Sequence, residues 1–290
     1  MKKALIQLHV AVFLWGFTGV LGRLITLNEG LLVWWRMFLT VLTLLVLRFA
    51  QKEFERIPWK DALKIGGVGA LVALHWVAFY GSIKMANVSI ALTCMAASGI
   101  FTALAEPFAF KKKLDIGELL LGLMALFGIG LIFHFNPEYK WGILVGILSV
   151  LLAVVFSIFN KKLVGKFNAK TISLYELGGG WLAWTFLLPV YWYFIPSSTF
   201  LPQGMDWVWL LIMAWFCTVL SVNLSLQALK HISAFTQNLT LNLEPVYGIV
   251  LAFVIFKENQ DLSPGFYYGF ALIALAVVLQ MLRITRKSSL

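Results

Sequence analysis

Charge is what this sequence has least of. Only 12% of its 290 residues are Asp, Glu, Lys or Arg, about half the share in an ordinary soluble domain. So few ionised groups cannot cover a water-facing surface, and a soluble globular fold is excluded. Cysteine is scarcer: Cys94 and Cys217 both stand in apolar runs, without metal-type spacing or a disulfide framework. They read as small packing residues. The four histidines, His9, His75, His134 and His231, are scattered and form no cluster with a carboxylate or nucleophile. No metal and no cofactor is expected. Also missing are the Gly-rich Lys-Ser/Thr loop that cradles ATP phosphates and any repeated filter-like loop of a channel.

Apolar sequence is what the chain has in abundance, with 61% hydrophobic residues and a mean hydropathy of +0.88. Ten apolar stretches stand out, at 5–25, 31–50, 62–83, 87–109, 114–134, 141–160, 171–194, 207–229, 232–256 and 264–283. Each approaches the roughly 20 residues that a helix needs to cross a bilayer. None alternates in the manner of a barrel strand. The expected fold is an all-α polytopic membrane protein of ten transmembrane helices. Met1-Lys2-Lys3 before an apolar run has the look of a signal peptide, but no small-residue cleavage site follows, so a retained first helix is expected.

The net charge of +10 is a matter of topology. With the N-terminus in the cytoplasm, 18 of the 23 Lys and Arg fall on the cytoplasmic side, including the Arg48 to Lys64 cluster, Lys111 to Lys113 and Lys161 to Lys170. Arg23, Lys84, Lys140 and Lys257 fall opposite, and Arg36 lies inside a span. This asymmetry places both termini in the cytoplasm of a multi-pass protein, in a bacterial-type inner membrane. It gives no reason to expect a nucleic-acid partner; the partners are the lipid bilayer and a small-molecule substrate, with monomer and homodimer both open.

The halves resemble each other. Tyr80 to Ser89 aligns with Leu226 to Phe235 at an offset of 146, so that Lys84 meets Lys230. Leu114 and Gly117 match Leu262 and Gly265 at an offset of 148, and Arg36 meets Glu176 at an offset of 140. The reading is a duplication, with residues 1–138 as one five-helix unit and 139–290 as the second. Five is odd, so the second unit enters the membrane from the opposite side. Inverted repeats of this kind recur in secondary transporters, with the site near the midplane between halves.

These features carry a resemblance. The two five-helix units, the polar turn after Lys84 and Lys230, Glu244-Pro245 followed by Lys257-Glu258, and Gly265 with Gly269 are similar to the EamA-type family of the drug/metabolite transporter superfamily. The resemblance covers nearly the whole chain. It implies a secondary transporter, and an exporter, of small organic metabolites such as amino acids or related amphipathic solutes. The first half departs from the pattern: Gly99 stands where the second half has Pro245, and its acidic-proline pair, Glu106-Pro107, sits near a span end.

Candidate residues are polar or aromatic groups at cavity depth. Residues 231–258 carry Thr236, Gln237, Asn238, Thr240, Asn242 and Glu244 in a run that is otherwise apolar. A charge near the bilayer centre costs about 2.5–3.5 kcal/mol on insertion scales, so Glu244 must face protein, water or ligand. Helical spacing puts Gln237, Thr240, Glu244 and Tyr247 on one face and Asn238 on the next. In the third span His75 and Phe79 share a face, and Trp76 and Tyr80 share the adjacent one. With Asn223, these residues form the expected substrate site: His75, Trp76, Tyr80, Asn223, Gln237, Asn238, Thr240, Glu244 and Tyr247. Glu244 and His75 are also candidate proton carriers. Arg36 and Glu176, opposite in charge and related by the repeat, are candidate gating groups, and Arg36 could instead bind a substrate carboxylate. The competing class is an intramembrane enzyme acting on lipid or lipid-linked substrates. It requires a catalytic cluster that the sequence does not display, so a carrier rather than an enzyme is expected.

Overall fold

The computed structural model describes residues 2–51, 56–111, 115–164, 166–197, 199–229, 240–241 and 243–288. Among these residues the structure is helical, without a strand. In order the helices are α1 (Lys2–Leu24), α2 (Glu29–Gln51), α3 (Trp59–Met85), α4 (Val88–Ala96), α5 (Ser98–Phe110), α6 (Ile116–Phe135), α7 (Lys140–Val164), α8 (Ala169–Phe194), α9 (Asp206–Ala214), α10 (Ser221–Leu229), α11 (Glu244–Phe256) and α12 (Pro264–Ser288). Seven segments are long and apolar enough to cross a membrane, and Val88–Thr102 and Glu244–Phe256 are shorter apolar helices.

Four interruptions shape the bundle. After α3 the chain turns through Ala86 and Asn87, and the Asn87 side chain accepts a bond from the Ile90 amide at 2.8 Å, capping α4. The expected fourth span is in fact two pieces, because α4 ends at Ala96 and α5 begins at Ser98 after a turn at Ala97. Between α9 and α10, Trp215–Leu220 forms a π-helical turn, a wide turn that shifts every later side chain around the helix axis. The fourth, at the turn of Leu243, precedes Glu244-Pro245. Pro245 occupies the first turn of α11, where its missing N–H deprives no helical bond.

α3 is the central helix, packed against α7 and α8, while α1 packs against α10 and α11, α2 against α8 and α9, and α6 against α12. Glycine permits the closest approaches. A Cβ on Gly69 of α3 would stand 2.8 Å from the Gly180 amide nitrogen of α8, and one on Gly16 of α1 would stand 2.7 Å from the Glu244 carbonyl oxygen. The largest buried cluster joins α1, α2, α3, α4, α8 and α9, with Leu32, Met37, Tyr80, Leu92, Trp184 and Met213 among its members.

One end of the bundle is closed by polar links. Arg23 pairs with Glu258, whose carboxylate also accepts from the Val88 amide at 3.0 Å, the Ser89 amide at 2.8 Å and the Ser89 hydroxyl at 2.5 Å. Lys84 Nζ donates to the carbonyls of Ile25 and Leu27. Thr26 donates to Asp206 through its amide at 2.9 Å and its hydroxyl at 2.6 Å. Aromatic packing adds to this closure, with Phe200 against Trp34, Trp35 and Trp192. The other end carries Arg48, Lys60, Lys64, Lys111, Lys162, Lys170 and Arg283, and is called the basic end below.

Candidate functional site

Arg36 stands two turns into α2, about 10 Å along the helix from Glu29, and only 4% of it is exposed. Three elements converge on its guanidinium. From α3, the Trp76 ring lies 3.8 Å below Cζ, and the Tyr80 hydroxyl accepts from Nη1 at 2.5 Å. From the π turn, the Thr218 hydroxyl accepts from Nη2 at 3.1 Å and donates to the Met213 carbonyl, five residues back, at 2.9 Å. Nε has no hydrogen-bond partner among the described residues. Among the described residues no carboxylate forms an ion pair with Arg36.

A cleft of about 150 Å³ leads from the basic end toward this cluster, lined by Thr40 and Arg48 of α2, Lys170 and Ser173 of α8, and Thr218 and Asn223. Thr218 belongs to both: it lines the cleft and holds Arg36. Thr40 stands one turn from Arg36 and donates to its carbonyl at 2.8 Å. Arg48 lies twelve residues beyond Arg36, about 18 Å along α2.

The residues selected from the sequence divide. Trp76 and Tyr80 meet at Arg36, as their shared helical face allows. His75 points elsewhere: its Nδ1 lies 2.9 Å from both the carbonyl and hydroxyl oxygens of Ser149, and its ring packs on Phe79 and Phe156. That places it in the α3–α7 interface. Glu244 is half-buried in the first turn of α11, where a carboxylate suits the positive end of the helix dipole. Its carboxylate has no hydrogen-bond partner among the described residues. Tyr247 lies at the bundle surface, its hydroxyl 2.9 Å from His9 Nδ1 beside Phe13. Asn223 is exposed on the cleft wall and accepts from Gln227 at 3.3 Å. Thr240 is buried, and its carbonyl accepts from the Leu243 amide at 3.0 Å. Gln237 and Asn238 lie outside the described residues. Glu176 accepts from Asn160 at 3.0 Å and shares no partner with Arg36. Sequence reasoning missed Thr218, Thr40 and Lys170. Only the pseudo-helical spacing of Thr40 from Arg36 could have indicated one of them, since nothing in WFCTVL announces a π turn.

An all-helical bundle of this composition, with buried charge beneath a cleft, is a multi-pass membrane protein. The profile of the EamA-like transporter family matches it twice, over residues 2–134 and 140–281. The chain belongs to this family of the drug/metabolite transporter superfamily and is a membrane transporter, in agreement with the resemblance read from its motifs. Similar proteins include an uncharacterized transporter of Haemophilus influenzae, 23% identical over 159 residues, covering 51% of each chain. Another is the uncharacterized transporter YetK of Bacillus subtilis, 26% identical over 277 residues, covering 88% of this chain and 80% of the relative. The chain thus matches about half the length of the first of these relatives. A solved structure described as the crystal structure of a protein shares the fold, with a TM-score of 0.62 and 16% identity over 94% of this chain and 95% of that one.

Proposed function

We propose that the protein is a secondary transporter that exports small organic metabolites, amino acids or related amphipathic solutes, by alternating access. The single observation that carries this reading is the asymmetry of the bundle. Its cleft leads inward from the basic end to the Arg36 cluster, while Arg23, Glu258, Lys84 and Asp206 tie the opposite end shut. By the placement of basic residues the basic end is cytoplasmic, so this is a cytoplasm-facing state, in which an exporter loads its cargo. Both termini are then cytoplasmic, in a bacterial-type inner membrane.

The ten-span, inverted-repeat arrangement belongs to the same reading. Counting α4 with α5, α9 with α10, and taking α11 as the second half of the apolar run 232–256, gives ten spans. The packing then repeats when the halves, 1–138 and 139–290, are exchanged. α3 against α7 corresponds to α10 against α1, α3 against α8 to α9 against α2, and α1 against α11 to α7 against α4. Two separate family matches support the same division. Rocking one unit against the other would open the closed end and seal the cleft. Glu244 and His75 are the proposed proton carriers, Glu244 through a carboxylate without a hydrogen-bond partner among the described residues and His75 at the α3–α7 seam; Arg36 and Glu176 are the proposed gating groups.

The test is uptake into liposomes holding the purified protein, with labelled amino acids and organic cations at two internal pH values. Saturable transport of one class, stimulated by a proton gradient, is expected. A folded protein that moves no solute overturns the proposal.

A further inference from the structure

We infer that the transported solute carries a carboxylate and that Arg36 is the residue that binds it. This rests on the carrier reading above and names the chemistry of its cargo.

Arg36 is a permanent cation at membrane depth, 4% exposed and without a carboxylate paired to it among the described residues. Ions buried in this way are held by an opposite charge or serve a functional site. The groups around it are neutral: Trp76, Tyr80 and Thr218. They hold the guanidinium without neutralising it. Trp76 covers the flat face of the guanidinium, which directs any further partner to the edge, where the N–H groups lie in plane and match the two oxygens of a carboxylate. Nε offers a buried N–H with no acceptor among the described residues.

Access comes from the basic end. Thr218, which holds Nη2, also lines the cleft, so an anion that reaches the inner end of the cleft meets Arg36 through Thr218. The mouth of the cleft carries Arg48 and Lys170, whose positive field raises the local concentration of anions. A free amino acid carries the carboxylate that this site asks for. A monoamine or a quaternary cation would leave Arg36 uncompensated.

The experiment uses the purified full chain with the twenty L-amino acids and their C-terminal amides as probes. Binding is read by quenching of tryptophan fluorescence and by the shift in unfolding temperature, and transport by uptake into liposomes. At least one free acid is expected to bind and to be transported, with its amide at least tenfold weaker in both. Arg36→Gln is expected to lose tenfold or more in affinity for that acid, and Arg36→Lys to recover part of the loss. Should Arg36→Gln fail to fold, the acid-to-amide ratio of the unaltered protein decides alone. Amides bound and carried as well as acids overturn the inference, as does an Arg36→Gln protein with unchanged affinity. Transport of organic cations but of no carboxylate overturns it while the carrier reading stands. Transport of neither class overturns the carrier reading itself.

Discussion

Arg23 and Glu258 are 235 residues apart in sequence and form an ion pair, yet the pair is unequal. Arg23 is 39% exposed at its side chain, whereas Glu258 is 1% exposed and also accepts from the Val88 and Ser89 amides at the start of α4. The carboxylate joins the chain after α11 to two other elements, α1 through Arg23 and α4 through its first amides.

Replacing the two partners therefore has different consequences. Arg23→Gln removes a partly exposed partner and is expected to lower stability by less than about 1 kcal/mol. Glu258→Ala leaves two helix-end amides and the Ser89 hydroxyl without their acceptor, at a cost of about 1–3 kcal/mol. Thermal unfolding of the two variants checks the order. In transport, both weaken the closed end and are expected to raise the population open on that face.

The α3–α8 contact offers an internal control. Gly69→Ala would drive a methyl into the Glu176 backbone carbonyl, 2.7 Å from its carbon and 2.8 Å from the Gly180 nitrogen, while Gly67 has nothing within 4 Å of its added Cβ. Gly69→Ala is expected to destabilise by about 1–3 kcal/mol, and Gly67→Ala to change little or to stabilise slightly. Equal unfolding temperatures for the two would place the helices further apart than described.

Trp76 tests the packing behind Arg36. Trp76→Leu removes the ring stacked on Arg36, a desolvated cation–π contact of about 2 kcal/mol, and is expected to raise the concentration for half-maximal transport about thirtyfold. Trp76→Phe keeps an aromatic face and is expected to lose less. Equal effects of Leu and Phe would show that the ring acts by volume alone.

Proton coupling has its own variant. Glu244→Gln keeps the shape and removes the titratable group at the start of α11. Counterflow of the cargo is expected to persist while stimulation by a proton gradient disappears. Stimulation equal to that of the unaltered protein would remove Glu244 from the proton path.

Orientation can be read from a single cysteine. Asn223 is exposed on the cleft wall, and the native Cys94 and Cys217 are buried. Asn223→Cys is expected to react with a membrane-impermeant thiol reagent from the cytoplasmic side, and to be shielded by cargo. Reaction only from the outer side would reverse the proposed topology.

Much of this was legible beforehand, for reasons that particular residues illustrate. Long apolar runs bounded by charge announced α1, α2, α3 and α12, because hydrocarbon thickness fixes span length. Asn87 and Pro245 marked two of the interruptions, since each changes backbone hydrogen bonding in a known way. Ala97 gave no warning: Ala, Ala and Ser are compatible with an unbroken helix, and the turn there arises from packing. The shared face of Trp76 and Tyr80 was visible from their spacing, but their common partner on α2 was not, because tertiary pairing has no local signal. Trp215 falls in the middle of the apolar run 207–229, yet it is 46% exposed and bonds to Thr43. The π turn it begins shifts the register of the helix, and the same shift carries Thr218 to Arg36.

Counterflow decides between a carrier and every other class of membrane protein. Liposomes containing the protein are preloaded with one unlabelled amino acid at a time and placed in a trace of the labelled one. A carrier that alternates between two faces is expected to accumulate label transiently above its outside concentration for at least one amino acid, and to lose that overshoot in the Arg36→Gln variant. Label that enters but only equilibrates, never rising above its outside concentration while the protein remains folded, would refute alternating access.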